Sequence, residues 1–445
     1  METSTRSVNR RVAVISLGCP KNLVDSESLV SQFLSQGLDM VQDPADADLV
    51  LVNTCGFLGS ARRESLDALK EVTRLKDEGR VQAVFVAGCM VGNYGDVIRS
   101  EVPGVDRLLD FSDYDRLGIL VDEHLPPSGG ESGFTVPGRH VQARLTPAHF
   151  AYLKISEGCN HTCSFCVIPS IRGRMKSVPL DELVERAKRL VGCGAKELNL
   201  IAQDSTMYGV DLYGEFRIVD LIDRLSAIAG LAWIRLLYAY PTEVSEDLID
   251  RLSADGTPVL PYIDVPLQHA SDRMLRLMNR KTKASDVETL LKRLRARDSE
   301  ITVRTTMIVG FPGETEEDFA ELLDFVARSR FDRLGAFIWS PEEGSAAWDL
   351  SDHVPEDVKQ ERLGRLMALQ EKISLEKQTA LIGREIDVLV DRPLDDGKGV
   401  QGRSRRDAPE VDGTVVIRGG TAAPGEIVRA RVTAAGAHDL EAERL

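Results

Sequence analysis

Six of the seven cysteines in this 445-residue sequence fall into two groups of three, and the first group repeats one local arrangement three times. Val12–Gly18 (VAVISLG), Asp48–Thr54 (DLVLVNT) and Gln82–Gly88 (QAVFVAG) are short apolar runs of strand type, followed directly by Cys19, Cys55 and Cys89. Amphipathic helical patterns over Ser26–Gln36 and Ser60–Asp77 lie between them, at the spacing of βαβ crossovers. In a parallel sheet such strands point one way and their C-terminal ends share one edge. Ligand sites in open α/β sheets lie outside that edge, so three thiols converge on one small object. Soft thiolates favour zinc or an iron–sulfur cluster. Zinc wants a fourth protein ligand, and no nearby His or Cys follows the same rule. A four-iron cluster on three cysteines keeps one iron open to an exogenous ligand. The bland alternative is three unrelated buried thiols, and the repetition counts against it.

The second group is compact: Cys159, Cys163 and Cys166 form a C-x₃-C-x₂-C loop after the strand-like run Ala151–Ser156 (AYLKIS). A loop this short wraps three thiolates around one face of a cubane, again with one iron unliganded by protein. No H-x₃₋₅-H or second C-x₂-C accompanies His161, which disfavours zinc and leaves that residue as an exposed loop position. Cys193 joins neither group and reads as a buried or incidental thiol. Arg172, Arg174 and Lys176 make a local basic patch, either a solvated face or a surface that steers an acidic substrate loop or a phosphate backbone.

From Ala151 to about Pro341, strand-like runs alternate with helical patterns. The later runs are Glu197–Gln203, Trp233–Tyr240, Tyr262–Gln268, Ile301–Gly310 and Leu334–Ser340, with helices expected at Asp181–Val191, Ser245–Ser253, Ala284–Arg297 and Glu316–Ser329. Repeated βα units predict a parallel barrel or partial barrel with its chemistry at the C-terminal strand ends, where the Cys159 loop already falls. A Pro/Gly/Ser-rich stretch, Leu125–Gly138, reads as the first linker, and Pro355–Ile382 as a long polar helix. Short β-like runs at 385–391, 414–420 and 426–435 then predict a small β-barrel. The expected organisation is an α/β multidomain chain divided at 10–125, 145–376 and 378–445.

The net charge of −15 weighs against an extended nucleic-acid footprint, and the C-terminal part carries ten Lys and Arg against twelve Asp and Glu. No apolar run approaches the ~18 residues of a membrane span, and no h-region follows Met1–Arg11. A cytoplasmic protein is expected.

The Cys159–Cys166 loop resembles the signature of radical S-adenosylmethionine (SAM) enzymes, and the upstream trio resembles that of their methylthiotransferase branch. The stretches SLGCPKNLVDSE (Ser16–Glu27), CSFCVIPSIRGRMKS (Cys163–Ser177), YIDVPLQHASD (Tyr262–Asp272) and GRSRRDAPEVDG (Gly402–Gly413) are similar to members that modify an aspartate of the twelfth small-subunit ribosomal protein. The tRNA-modifying relatives carry Tyr-Thr-Arg-Gly after the third cysteine, where this chain has Ser-Ile-Arg-Gly. The resemblance runs from about Arg11 to the C-terminus. It implies an open six-stranded (βα) barrel, a TRAM-like C-terminal barrel, SAM, and two [4Fe–4S] clusters. Cys159, Cys163 and Cys166 would hold the cluster that cleaves SAM to a 5′-deoxyadenosyl radical. Cys19, Cys55 and Cys89 would hold the cluster that carries the transferred sulfur. Phe165, Gln203, Asp204, Arg304 and Gly310 are the expected cofactor-binding positions. The implied partners are a ribosomal protein, free or in the small subunit, an electron donor of unspecified identity, and RNA as an alternative contact of the C-terminal domain. The same chemistry on a tRNA adenosine is the nearest alternative, and a non-catalytic, metal-stapled binding protein a remoter one.

Overall fold

The computed structural model describes residues 10–126 and 143–445, so most of the expected linker, Leu125–Gly138, lies outside the described residues. The chain divides into two compact units, the first taking in the described residues up to Leu145 together with Val167–Gly173 and Glu342–Gly344.

The first unit is built on a parallel sheet of order β2-β1-β3-β4-β5. Its strands are β1 (Arg11–Ser16), β2 (Asp39–Met40), β3 (Leu49–Thr54), β4 (Ala83–Gly88) and β5 (Arg107–Leu108). Every residue of β3 and β4 is buried, which explains their unbroken apolar runs: helices cover both faces of the sheet. Leu49, Leu51, Phe85 and Ala87 pack with Leu29 and Phe33 on one face. Val50, Val52, Val84 and Val86 pack with Leu69, Val72 and Ile98 on the other. The helix Pro20–Ser35 begins directly after Cys19 with a proline in its first turn, and the helix Cys89–Glu101 begins on Cys89 itself.

The second unit holds six parallel strands in the order β13-β12-β11-β10-β9-β6, an open sheet with β6 and β13 at its edges. These are β6 (Phe150–Lys154), β9 (Glu197–Ile201), β10 (Trp233–Leu236), β11 (Val259–Asp264), β12 (Thr302–Val309) and β13 (Arg333–Ile338). A short antiparallel pair, β7 (Ser156–Glu157) and β8 (Lys176–Ser177), closes the base of the segment that carries the second cysteine group. A single apolar core joins the sheet to its helices, from Leu183 and Ala187 through Leu248 and Leu290 to Phe319 and Phe325.

The helix Glu356–Thr379 leads into a closed five-stranded barrel of order β14-β15-β16-β18-β17. Its strands are β14 (Glu385–Pro393), β15 (Gly399–Ser404), β16 (Val415–Arg418), β17 (Ile427–Ala435) and β18 (Leu440–Arg444). The expected runs correspond to β14, β16 and β17; β15 and β18 are additions.

Candidate metal and cofactor centres

In the first unit, glycines let the three cysteine-bearing strand ends close on one another. A Cβ on Gly18 (φ +95°) would lie 2.8 Å from Cys55 Cβ and 3.1 Å from Cys55 Sγ. One on Gly56 would lie 2.8 Å from the Cys89 carbonyl oxygen. Asn22 ties the ends together: its Nδ2 donates to Leu17 O at 3.0 Å and Thr54 O at 2.8 Å, and its Oδ1 accepts from Cys89 Sγ at 3.4 Å. Asn53 Nδ2 in turn donates to Asn22 O and Ser26 Oγ, both at 2.8 Å. Burial raises the Cys55 thiol and pushes Cys89 up to about 11, with Arg172 opposing burial at both. Such thiols ionise readily only against a metal or a cation.

Arg172 corrects the sequence expectation. It is neither a solvated residue nor an outward anion lure, because its side chain is 1% exposed. Its Nε and Nη2 donate to Cys89 Sγ at 3.2 and 3.1 Å, Nη2 also to Asn22 Oδ1 at 2.6 Å, and Nη1 to Asp25 Oδ2 at 3.0 Å. Arg174 and Lys176 are exposed, as a solvated patch requires.

In the second unit, the Cys159 loop follows β6 and is strapped to the turn at 277–280. Ser164 N donates to Met278 O at 3.0 Å, Ser164 Oγ to Leu277 O at 2.8 Å, and Asn279 Nδ2 to Thr162 O at 2.7 Å. Arg280 Nη1 reaches Cys163 Sγ at 3.7 Å, and the His161 amide reaches Cys159 Sγ at 3.4 Å. Burial pushes the Cys159 thiol up to about 11. Both donor sets are three soft thiols on close-packed backbone, which fits iron–sulfur clusters with an open iron. Among the described residues, no three His, Cys, Asp or Glu side chains gather at the spacing of a single metal ion.

His161 is a second correction. It is part-buried: its Nε2 lies 2.6 Å from Asp204 Oδ2, and its ring stacks on Tyr240 at 4.0 Å, with the Arg280 guanidinium 4.5 Å from the Tyr240 ring centre. Asp204 also accepts from the Thr206 amide at 3.0 Å and from the Thr206 hydroxyl, so its carboxylate is engaged by protein on both oxygens. Beside it, Gln203 Nε2 donates to Glu157 Oε1 at 3.0 Å, while Gln203 Oε1 is buried with no hydrogen-bond partner among the described residues. That orphaned acceptor at a strand's C-terminal end fits a donor group on a bound cofactor.

Phe165 packs against Met274, Met278, Phe311 and Trp339 beneath the loop. Gly310 has φ +72°, and a Cβ there would fall 2.3 Å from Lys359 Cγ, so the glycine makes room for a lysine stem. Its amide donates to Glu314 Oε2 at 2.8 Å, and Glu314 Oε1 lies 2.8 Å from Arg362 Nη1. His269, fully buried, faces the same carboxylate at 3.6 Å. Arg304 is placed differently from the expectation. Its guanidinium lies between Asp264 at 3.0 Å and Asp412 of the C-terminal barrel at 3.4 Å, which commits its charge away from a cofactor carboxylate. Of the two readings of Cys193, a buried or an incidental thiol, the structure removes the first: it is exposed, just past the helix Leu180–Gly192.

Family models match the Radical SAM superfamily over residues 153–326, Uncharacterized protein family UPF0004 over 11–110 and the TRAM domain over 382–445. The chain is 42% identical over 97% of its length to the ribosomal protein uS12 methylthiotransferase RimO of Anaeromyxobacter sp. (strain Fw109-5), covering 92% of that protein. It is 45% identical over 98% of its length to that of Salmonella paratyphi B, covering 98% of it. The chain belongs to the RimO methylthiotransferase family. As a family member it is a radical SAM enzyme, which brings with it SAM and a [4Fe–4S] cluster. Its fold is also similar to a radical SAM methyltransferase, TsrM from Kitasatospora setae (TM-score 0.55, 15% identity, 76% of this chain and 75% of that one).

The RimO-like stretch Gly402–Gly413 turns its charged groups onto the radical SAM core. Arg403 pairs with Glu197 at the start of β9, Arg406 with Asp332, Asp407 with Arg333, and Asp412 with Tyr262 and Arg304. No composition or spacing signal marks these as docking residues, since their partners lie far away in the sequence.

Proposed function

We propose that this chain adds a methylthio group to the β-carbon of an aspartate in ribosomal protein uS12, using two clusters. The observation that carries this reading is the pair of cysteine trios in separate units, one at the C-terminal ends of β1, β3 and β4 and the other in the single loop that follows β6 and β7. Cys159, Cys163 and Cys166 are the ligands we assign to the SAM-cleaving cluster, and Cys19, Cys55 and Cys89 those of the sulfur-carrying cluster. When bound, the first cluster and SAM supply a radical strong enough to break an unactivated C–H bond, which no side-chain base can deprotonate.

The chain's own residues position these groups. Asn279, Ser164 and Arg280 hold the Cys159 loop, and Asn22 and Asn53 hold the first trio. Gln203 Oε1 is the acceptor we assign to the cofactor, and Phe165 and the Gly310 loop are assigned to it as well. Asp204 acts through His161 as a positioning residue. The division at 10–125, 145–376 and 378–445 fits this allocation, each part holding one family match.

For the C-terminal barrel we place protein contact ahead of RNA contact, because its net charge is acidic and Arg403 and Arg406 are turned inward. We assign the chain to the cytoplasm, where thiols stay reduced. None of the described helices is long and apolar enough to cross a membrane.

The test is mass spectrometry of products from anaerobically reconstituted protein, reductant and SAM, with uS12 and total tRNA offered in parallel. A methylthio mass shift on one aspartate of uS12 is expected. A shift on tRNA alone overturns the substrate and keeps the chemistry, and deoxyadenosine with neither shift overturns the methylthio assignment.

A further inference from the structure

Arg172 follows the C-x₃-C-x₂-C loop by six positions, yet its whole segment, Val167–Gly173, is built into the unit that carries the other cysteine trio. Val167 and Ile171 pack with Cys89, Phe57 and Phe111, and Asn93 Nδ2 donates to Ser170 Oγ at 3.1 Å. Gly173, at φ +74°, ends the short turn Ile168–Arg172. The segment is thereby a wall of the first trio's site.

A buried guanidinium needs a carboxylate to balance its charge, and Asp25 meets that need through Nη1. Charge balance leaves the direction of the remaining N–H groups unexplained. Nε and Nη2 form the side of the guanidinium that meets a single acceptor as a fork, and here both point at Cys89 Sγ, at 3.2 and 3.1 Å. The plane is fixed from two sides. Asn22 Oδ1 accepts from Nη2 at 2.6 Å, and the Phe111 ring centre lies 4.9 Å from the guanidinium carbon. Asn22 also bonds the backbone ahead of Cys19 and of Cys55, so one guanidinium is linked through one amide to all three cysteine-bearing strand ends.

We propose that Arg172 is a positioning residue of the second cluster: it holds the Cys89 thiolate by a two-pronged hydrogen bond and raises that cluster's reduction potential. This rests on the reading that Cys19, Cys55 and Cys89 carry a cluster. Hydrogen bonds to ligand sulfur and nearby positive charge both favour the reduced, more negative cluster. A residue from the radical-cluster segment thus tunes the sulfur-carrying cluster, and the sequence loop SIRGR has a role distinct from cysteine ligation.

The test uses the full-length chain with Cys159, Cys163 and Cys166 changed together to Ala, reconstituted anaerobically with iron and sulfide, so that one cluster remains. Its midpoint potential is read by an EPR-monitored titration, alongside the rate of iron loss to a chelator. Arg172→Gln is expected to lower the potential and to speed iron loss roughly 10–100-fold. Arg172→Lys keeps the charge without the fork and is expected to lie between the two. A parent that binds no iron overturns the second-cluster reading, and this assignment with it. A parent that binds iron, with potentials unchanged in both variants, overturns the assignment of Arg172 alone. Circular dichroism checks folding, and if Arg172→Gln unfolds, the Lys variant decides by whether its potential falls below the parent's.

Discussion

A Cβ at Gly88 would lie 2.2 Å from Asn53 Oδ1 and 2.4 Å from Thr54 O, and the residue's φ is +91°. Both obstacles are on the neighbouring strand, and the carbonyl cannot turn aside without breaking the ladder between β3 and β4. Gly88 immediately precedes Cys89, so any shift there moves one of the proposed ligands of the second cluster. Gly88→Ala is therefore expected to lose the first-trio cluster and keep the other. Iron per reconstituted chain should fall from about eight to about four, with the Cys159-loop cluster's EPR signal retained. An unchanged iron count would show that the first trio tolerates displacement or holds no cluster. His161 and Arg172 depart from what their local sequence suggests for a physical reason. Their roles are fixed by Asp204, Tyr240, Cys89 and Asp25, whose proximity no local pattern announces.

The helix Glu316–Ser329 agreed in both bounds with its sequence pattern because its start is written locally. Thr315 caps it, and Asp318 returns a bond to the Thr315 amide at 2.9 Å. Burial would raise the Asp318 carboxyl, but hydrogen bonds from Arg273, the Thr315 amide and Ser271 outweigh it and hold the group well below the usual carboxylate range. A depressed folded value gives stability that is present above the unfolded value of about 4 and is lost as pH falls through the folded value. Asp318→Asn is thus expected to cost about 2 kcal/mol at neutral pH. The gap between melting curves of parent and variant should begin to narrow below about pH 4, and a gap that stays constant down to about pH 2 would contradict the linkage. The strands β15 and β18 show the opposite case. β15 holds Gly399 and Gly402, and a Cβ at Gly402 would fall 2.3 Å from Leu389 O, so close approach demands a poor strand former. β18 (LEAER) is rich in helix formers, yet it pairs with β16 in parallel and with β17 antiparallel. Pairing overrode propensity there.

Across the second unit, the C-terminal barrel is fixed to the radical SAM core by charge as well as by packing. Glu197 and Arg235 are both fully buried and 2.8 Å apart, and Arg403 supplies the second cation to Glu197 while also binding Asp391. His149, beside β6, reaches Asp391 at 2.7 Å, and Arg235 Nη1 donates to Arg405 O at 3.0 Å. Removing one member of such a network strands a buried charge. Arg403→Met is expected to destabilise the unit by about 3–5 kcal/mol. Core and barrel should still melt in one transition, read by calorimetry. Two separate transitions would mean that the barrel is an independent module. The same inward commitment argues that Arg403 contributes nothing to any RNA affinity.

By itself the sequence determined the chemistry and the order of layers: thiol spacing is local, and period and capping are properties of neighbouring residues. That Cys19, Cys55 and Cys89 share one sheet edge was legible because each follows the same kind of apolar run, and topology alone brings parallel strand ends together. Only the tertiary structure decided which polar groups face those sulfurs and where the basic residues go. Arg172 reads as surface charge until Asp25 and Cys89 are beside it, and Arg304 reads as a cofactor partner until Asp412 arrives from the last domain. A charge's role depends on what lies within a few ångströms, and that distance is set by the fold.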